Sequence, residues 1–127
     1  MATIEKSQER VPDTEAAFSK AVTKASDLLG LKQTEFAEIV GITPAQASRL
    51  WNKTYFLSDS KKSEWERALL FYRSYRSLVT LISDKEMASV WLRNHNLGLG
   101  GTPIELMKSV EGLVDVVRYL DATRGNV

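Results

Sequence analysis

Residues Leu31–Asn52, LKQTEFAEIVGITPAQASRLWN, decide how this chain is read. The stretch predicts two short helices, Gln33–Val40 and Pro44–Asn52, joined at Gly41. Ala37 stands four residues before Gly41, a small side chain where two helices must approach. Gly41 stands at the turn itself, where positive φ is needed and a Cβ would cost. Phe36, Ile39, Ile42 and Leu50 supply the apolar pins. Thr43-Pro44 starts the second helix well: a capping hydroxyl, then a proline where its missing N–H is harmless. The geometry expected is a helix-turn-helix. Its second helix exposes Thr43, Ala45, Gln46, Ser48 and Arg49, with Lys53 just beyond, side chains of the kind that meet DNA bases and phosphates. Gln33 would place its amide and a helix N-terminus on a phosphate.

Upstream, Phe18, Ala21, Val22, Ala25, Leu28 and Leu29 recur at helical spacing after a polar leader, residues 1–12. Asp13 or Thr14 suits the N-cap and Gly30 the stop. Downstream of a polar loop, the longest predicted helix runs from Lys61 to Ile82. Trp65, Ala68, Leu69, Tyr72, Tyr75, Val79 and Ile82 share one face, and Leu70, Phe71, Leu78 and Leu81 widen it. A helix apolar over so much of its circumference is central to the fold or half buried in a partner. The expectation is a homodimer built on Trp65, Leu69, Phe71, Tyr72, Tyr75 and Leu78, a two-fold axis presenting two recognition helices at once.

The other informative stretch is Trp91–Gly125, WLRNHNLGLGGTPIELMKSVEGLVDVVRYLDATRG. Asp84 caps a helix reaching about Asn94. Leu97–Gly101 is a flexible turn, and Thr102-Pro103 opens a short helix to Ser109. The last helix, Val110–Ala122, turns Val110, Leu113, Val114, Val117 and Leu120 inward. That leaves Val116 and Tyr119 exposed, a pattern that suggests a partner surface. Arg118 and Arg124 add forked donors suited to a carboxylate or phosphate. Residues after Leu120 add little apolar surface. No stretch reads as a strand, so the fold class is all-α. The expected organisation is a leader (1–12), a helix-turn-helix region (13–57), a central helix (58–82) and a C-terminal module (83–127).

Composition narrows the function. Of 127 residues, 43% are hydrophobic and 26% charged, a globular profile. Net charge is +1, so DNA binding must rest on a local patch, doubled by dimerisation. No cysteine is present, which excludes disulfides, zinc-thiolate sites and cysteine nucleophiles. A single histidine, His95, allows no histidine pair. Carboxylate pairs such as Glu64/Glu66 have no nucleophile or ligand pattern beside them, and no catalytic, metal or cofactor site is expected. The glycine run at Leu97–Gly101 follows a helix rather than a strand and has no GK[ST] sequel, which weighs against a phosphate loop. The N-terminus lacks the apolar core of a secretory signal and no apolar run reaches the roughly 18 residues of a membrane span, so a cytoplasmic protein is expected.

Gln33, Ala37, Gly41, Ser48, Arg49 and Asn52 together resemble the Xre/Cro-like repressor helix-turn-helix. From about Lys61 onward the chain resembles the toxin-binding module of the Xre/MbcA/ParS antitoxins. That likeness rests on Trp91-Leu92, Gly100-Gly101-Thr102-Pro103, Ile104-Glu105-Leu106-Met107, Glu111-Gly112 and a final helix through Tyr119-Leu120 to Arg124-Gly125. The resemblance implies an antitoxin that covers the active site of a RES-domain toxin, one that consumes NAD or transfers ADP-ribose. It also implies repression of its own operon at an inverted-repeat operator. Leu99, Gly100, Gly101, Thr102, Val116, Arg118, Tyr119, Arg124, Asn126 and Val127 would then form the toxin-binding set. The alternative is a stand-alone homodimeric repressor whose C-terminal module only dimerises or senses a ligand.

Overall fold

A computed structural model describes residues 11–125. Seven helices follow one another among them: α1 (Asp13–Leu28), α2 (Gln33–Val40), α3 (Pro44–Trp51), α4 (Lys62–Leu81), α5 (Lys85–Arg93), α6 (Pro103–Leu106) and α7 (Val110–Gly125). None is long and apolar enough to cross a membrane.

Local chemistry sets most of the boundaries. Gly30 and Gly41 take left-handed φ values of 76° and 83°, ending α1 and α2. Past each, the chain closes back: the Leu31 N–H donates to the Ser26 carbonyl at 3.0 Å and the Ile42 N–H to the Ala37 carbonyl at 3.0 Å. This pattern satisfies carbonyls that a helix end would otherwise leave orphaned. Thr43 caps α3 through its hydroxyl, and the Asp84 carboxylate accepts the Glu86 N–H at 2.9 Å to open α5. Pro12, rather than Asp13 or Thr14, stands before α1, and no side chain caps that helix.

The central element is α4, which packs on α2 and α1 near its start and most extensively on α7. Phe71 meets Phe36 edge-to-face at 5.6 Å, and Phe36 meets Trp51 likewise at 5.1 Å, joining α4, α2 and α3 in one aromatic core. Phe18 of α1 covers Trp65 and Tyr72 at 4.6 and 6.1 Å. Most of the apolar circumference of α4 is therefore consumed within one protomer. Phe71 and Leu78, expected at a dimer interface, are 0% and 2% exposed and belong to the protomer's own core. Trp65, Tyr72 and Tyr75 are half-buried, leaving Leu69, 44% exposed, as the large apolar side chain that α4 presents outward.

The rotation of α7 also differs from expectation. Leu113, Val116, Val117 and Leu120 are buried, Val116 completely, whereas Val110 is exposed and Val114 half-buried. The cause is Gly112, which lies against the backbone of Leu106: a Cβ there would stand 1.9 Å from the Leu106 oxygen. Turning Gly112 toward α6 brings Val116, one turn on, inward as well.

Candidate nucleic-acid interface and partner surface

The two short helices α2 and α3 place the sequence-predicted DNA residues on one motif. Gln33, Thr43, Ala45, Ser48, Arg49 and Lys53 are exposed and Gln46 is half-buried. Thr43 and Gln46 are already engaged with each other. The Gln46 N–H donates to the Thr43 hydroxyl at 3.0 Å, and the Thr43 N–H donates to Gln46 Oε1 at 2.9 Å. This reciprocal cap rigidifies the N-terminus of the recognition helix and leaves the Gln46 amide NH₂ as its outward donor. The indole N–H of Trp51 donates to both Asp27 oxygens, at 3.1 and 3.2 Å, fixing α3 against α1. At the far end, Thr54 and Tyr55 N–H groups donate to the Arg49 carbonyl at 2.9 and 3.2 Å, and Lys53 takes φ 64°. The Arg49 guanidinium joins none of the ion pairs among the described residues. Lys20 of α1 shares with Lys53 the lining of a cavity of about 210 Å³ beside Leu50 and Trp51. Nothing in the sequence around Lys20 marks it, because that proximity exists only once α1 packs on α3.

The C-terminal module presents a different surface. Met87, Val90 and Leu97 are exposed, Leu97 at 91%. Met87, Val90 and Trp91 lie within one turn on α5. Trp91 stacks on Tyr119 of α7, with ring centroids 6.3 Å apart and planes 23° apart. Tyr119 lies against Gly98, where a Cβ would stand 2.7 Å from its ring. Met87, Val90, Trp91 and Tyr119 thus form an apolar strip, and the exposed Leu97 is next in the chain to the Gly98 that Tyr119 covers. Sequence reasoning missed Met87, Val90 and Leu97; helical periodicity could have flagged the first two as a pair off the inward face.

Of the residues expected at this surface, Gly100, Arg118 and Arg124 are exposed, and Leu99, Gly101, Thr102 and Tyr119 half-buried. Val116 departs from the expectation: its side chain is 0% exposed, since it faces the core beside Gly112. Asn126 and Val127 lie outside the described residues. The Leu97–Gly101 segment is no loose turn. The Gly100 and Gly101 N–H groups donate to the Asn96 carbonyl at 2.9 and 3.3 Å, and the Leu99 N–H donates to Asn96 Oδ1 at 3.0 Å. With those three donors turned inward, the glycine run has none of them left to cradle a phosphate. Asp121 pairs with Arg73 and accepts the Ser77 hydroxyl at 2.9 Å, so α7 is still anchored to α4 at the residue after Leu120. Arg124 approaches Asp121 only to 3.7 Å.

Two family models match the chain. The antitoxin Xre-like helix-turn-helix domain covers residues 9–73, more than half of its length. The antitoxin Xre/MbcA/ParS C-terminal toxin-binding domain covers residues 77–125. The chain belongs to the Xre-like antitoxin family. A comparison with curated proteins gave no match. In this antitoxin chain the two matches meet inside α4, so one continuous helix serves both.

Polar ties cross from one match to the other. Arg93 of α5 grips Glu35 of α2 with two parallel bonds, Nη1 to Oε2 at 2.9 Å and Nη2 to Oε1 at 2.8 Å, and also donates to the Gly30 carbonyl at 3.0 Å. Glu35 accepts the Lys32 N–H at 2.8 Å, closing the first turn of α2. The Arg93 guanidinium holds the Glu35 carboxyl down to about 2, against its ordinary 4.5. Arg67 of α4 donates to the Ile39 and Glu38 carbonyls at 2.8 and 3.1 Å, neutralising the carbonyl end of α2, and to the Lys108 carbonyl at 3.2 Å. Lys108 pairs with Glu38 at 3.3 Å.

Proposed function

We propose that this chain is the antitoxin of a type II pair, neutralising a RES-domain toxin with its C-terminal module and repressing its own operon through the helix-turn-helix. The observation that carries the reading is the presence of both family matches, in that order, on one shared helix. The apolar strip of Met87, Val90, Trp91 and Tyr119, with the exposed Leu97, supports toxin docking, because patches of this kind on a small protein mark partner surfaces. Arg118 and Arg124, exposed on the same helix as Tyr119, would reach an anion-binding cleft of an NAD-consuming toxin. On the DNA side, Gln33, Gln46, Ser48, Arg49 and Lys53 would meet an inverted-repeat operator, two protomers reading two half-sites.

The test is co-expression with the product of the adjacent reading frame, scoring growth and cellular NAD. Wild-type protein should protect, a Met87→Asp/Leu97→Asp variant should not, and both should bind the operator equally. A toxin neutralised as well by the double variant would remove the strip from the interface. An adjacent product that is harmless alone would instead favour the stand-alone repressor.

A further inference from the structure

Helix α2 has eight residues and few means of holding itself. Its N-cap is Lys32, which supplies no capping side chain, so the first turn relies on Glu35 accepting the Lys32 N–H at 2.8 Å. Glu35 is itself held from outside the helix-turn-helix match: the fork that fixes its carboxylate belongs to Arg93, in the toxin-binding match. The same guanidinium donates to the Gly30 carbonyl, which belongs to the turn entering α2. One side chain from the C-terminal module therefore touches both the turn entering α2 and the residue that closes its first turn. Two residues before Glu35 stands Gln33, exposed at the first helical position.

We propose that Arg93 is a positioning residue for DNA binding: acting through Glu35 and Gly30, it holds the N-terminus of α2 where Gln33 and the free backbone N–H groups meet a phosphate. The inference rests on the DNA-binding reading given above. A backbone N–H or amide contact to phosphate is directional, and a bidentate arginine–carboxylate fork restrains the helix end in both angle and height. Arg93 itself is committed to Glu35 and the Gly30 carbonyl, and in this reading it makes no DNA contact of its own. The toxin-binding module would then be needed for full operator affinity even with no toxin present.

The experiment measures operator binding by the full chain across a salt series, for wild type, Arg93→Ala, Arg93→Lys and Glu35→Gln, each checked for folding by circular dichroism. Arg93→Ala should weaken binding about tenfold, with Arg93→Lys in between, because lysine keeps the charge but loses the fork. The slope of log affinity against log salt should stay at its wild-type value, since no cation leaves a phosphate. Glu35→Gln should weaken binding in the same way, again with the slope unchanged. Folded Arg93→Ala and Glu35→Gln proteins with wild-type affinity would overturn the proposal. So would a slope reduced by about 0.9 in Arg93→Ala, the signature of a direct phosphate contact. Wild-type protein that binds no operator would overturn the DNA-binding reading itself, and the role of Arg93 with it.

Discussion

Gly112 of α7 rests directly on the carbonyl of Leu106, so closely that a Cβ on Gly112 would stand 1.9 Å from that oxygen and 2.6 Å from its carbon. Both atoms are backbone, so no side-chain rotation relieves the clash. Glycine in a helix ordinarily costs about 1 kcal/mol relative to alanine; here the contact reverses that preference. Gly112→Ala should therefore destabilise the protein, by about 1–3 kcal/mol as overpacking against a rigid neighbour does. Denaturant unfolding of the two proteins measures it, and an unchanged or raised midpoint would show that α6 yields freely.

The recognition helix separates stability from reading. Arg49→Ala removes an exposed guanidinium that takes part in no ion pair among the described residues, so unfolding should be unaffected. Operator affinity should fall by about 1–3 kcal/mol per half-site if the side chain makes a bidentate base contact. Thr43→Ala breaks the reciprocal cap with Gln46 and should cost about 1 kcal/mol of stability as well as affinity. Thermal melts beside fluorescence anisotropy on operator DNA distinguish the two. Equal effects of both variants on melting would contradict the assignment.

The Glu35–Arg93 pair predicts a particular response to acid. Glu35 is depressed from 4.5 to about 2, so its contribution is fully present above 4.5 and is lost as pH falls toward about 2. Arg93 is 38% exposed, and solvent screening holds the net contribution to about 1 kcal/mol. Glu35→Gln keeps an acceptor for the Lys32 N–H while removing the charge. Wild type should exceed the variant in unfolding free energy at neutral pH, and the gap should close as pH drops below about 4. A gap that stays constant across that window would show that the charge is not what matters.

Association should depend on Leu69. It is the large apolar side chain left exposed on α4, beside half-buried Trp65 and Tyr72. If two protomers meet there, wild-type protein should sediment as a dimer at micromolar concentration and Leu69→Glu as a monomer of equal thermal stability. A wild-type monomer, or a Leu69→Glu dimer, would move the two-fold contact elsewhere or remove it.

Most of the helices were legible in the sequence because their signals are local. Gly30 and Gly41 stop helices by a conformation that other residues avoid, Thr43-Pro44 and Asp84 start them with a cap, and apolar spacing fills the segments between. Residues within a few positions of one another carry all of that information. Val116 shows where such information ends. The last helix offers two overlapping apolar stripes that share Leu113, Val117 and Leu120, one adding Val110 and Val114, the other adding Val116. The contact of Gly112 with Leu106 selects the second. Phe71 and Leu78 likewise could face a second protomer or their own core until α2 and α7 packed on α4. The fork that joins Arg93 to Glu35 across 58 positions of chain has no sequence signature at all, and of the exposed strip only Tyr119 is marked, by its place off the inward face, while its neighbours across the fold are not. They depend on how helices remote in sequence are brought together, and that is decided by the mutual fit of packed surfaces rather than by any residue's own propensity.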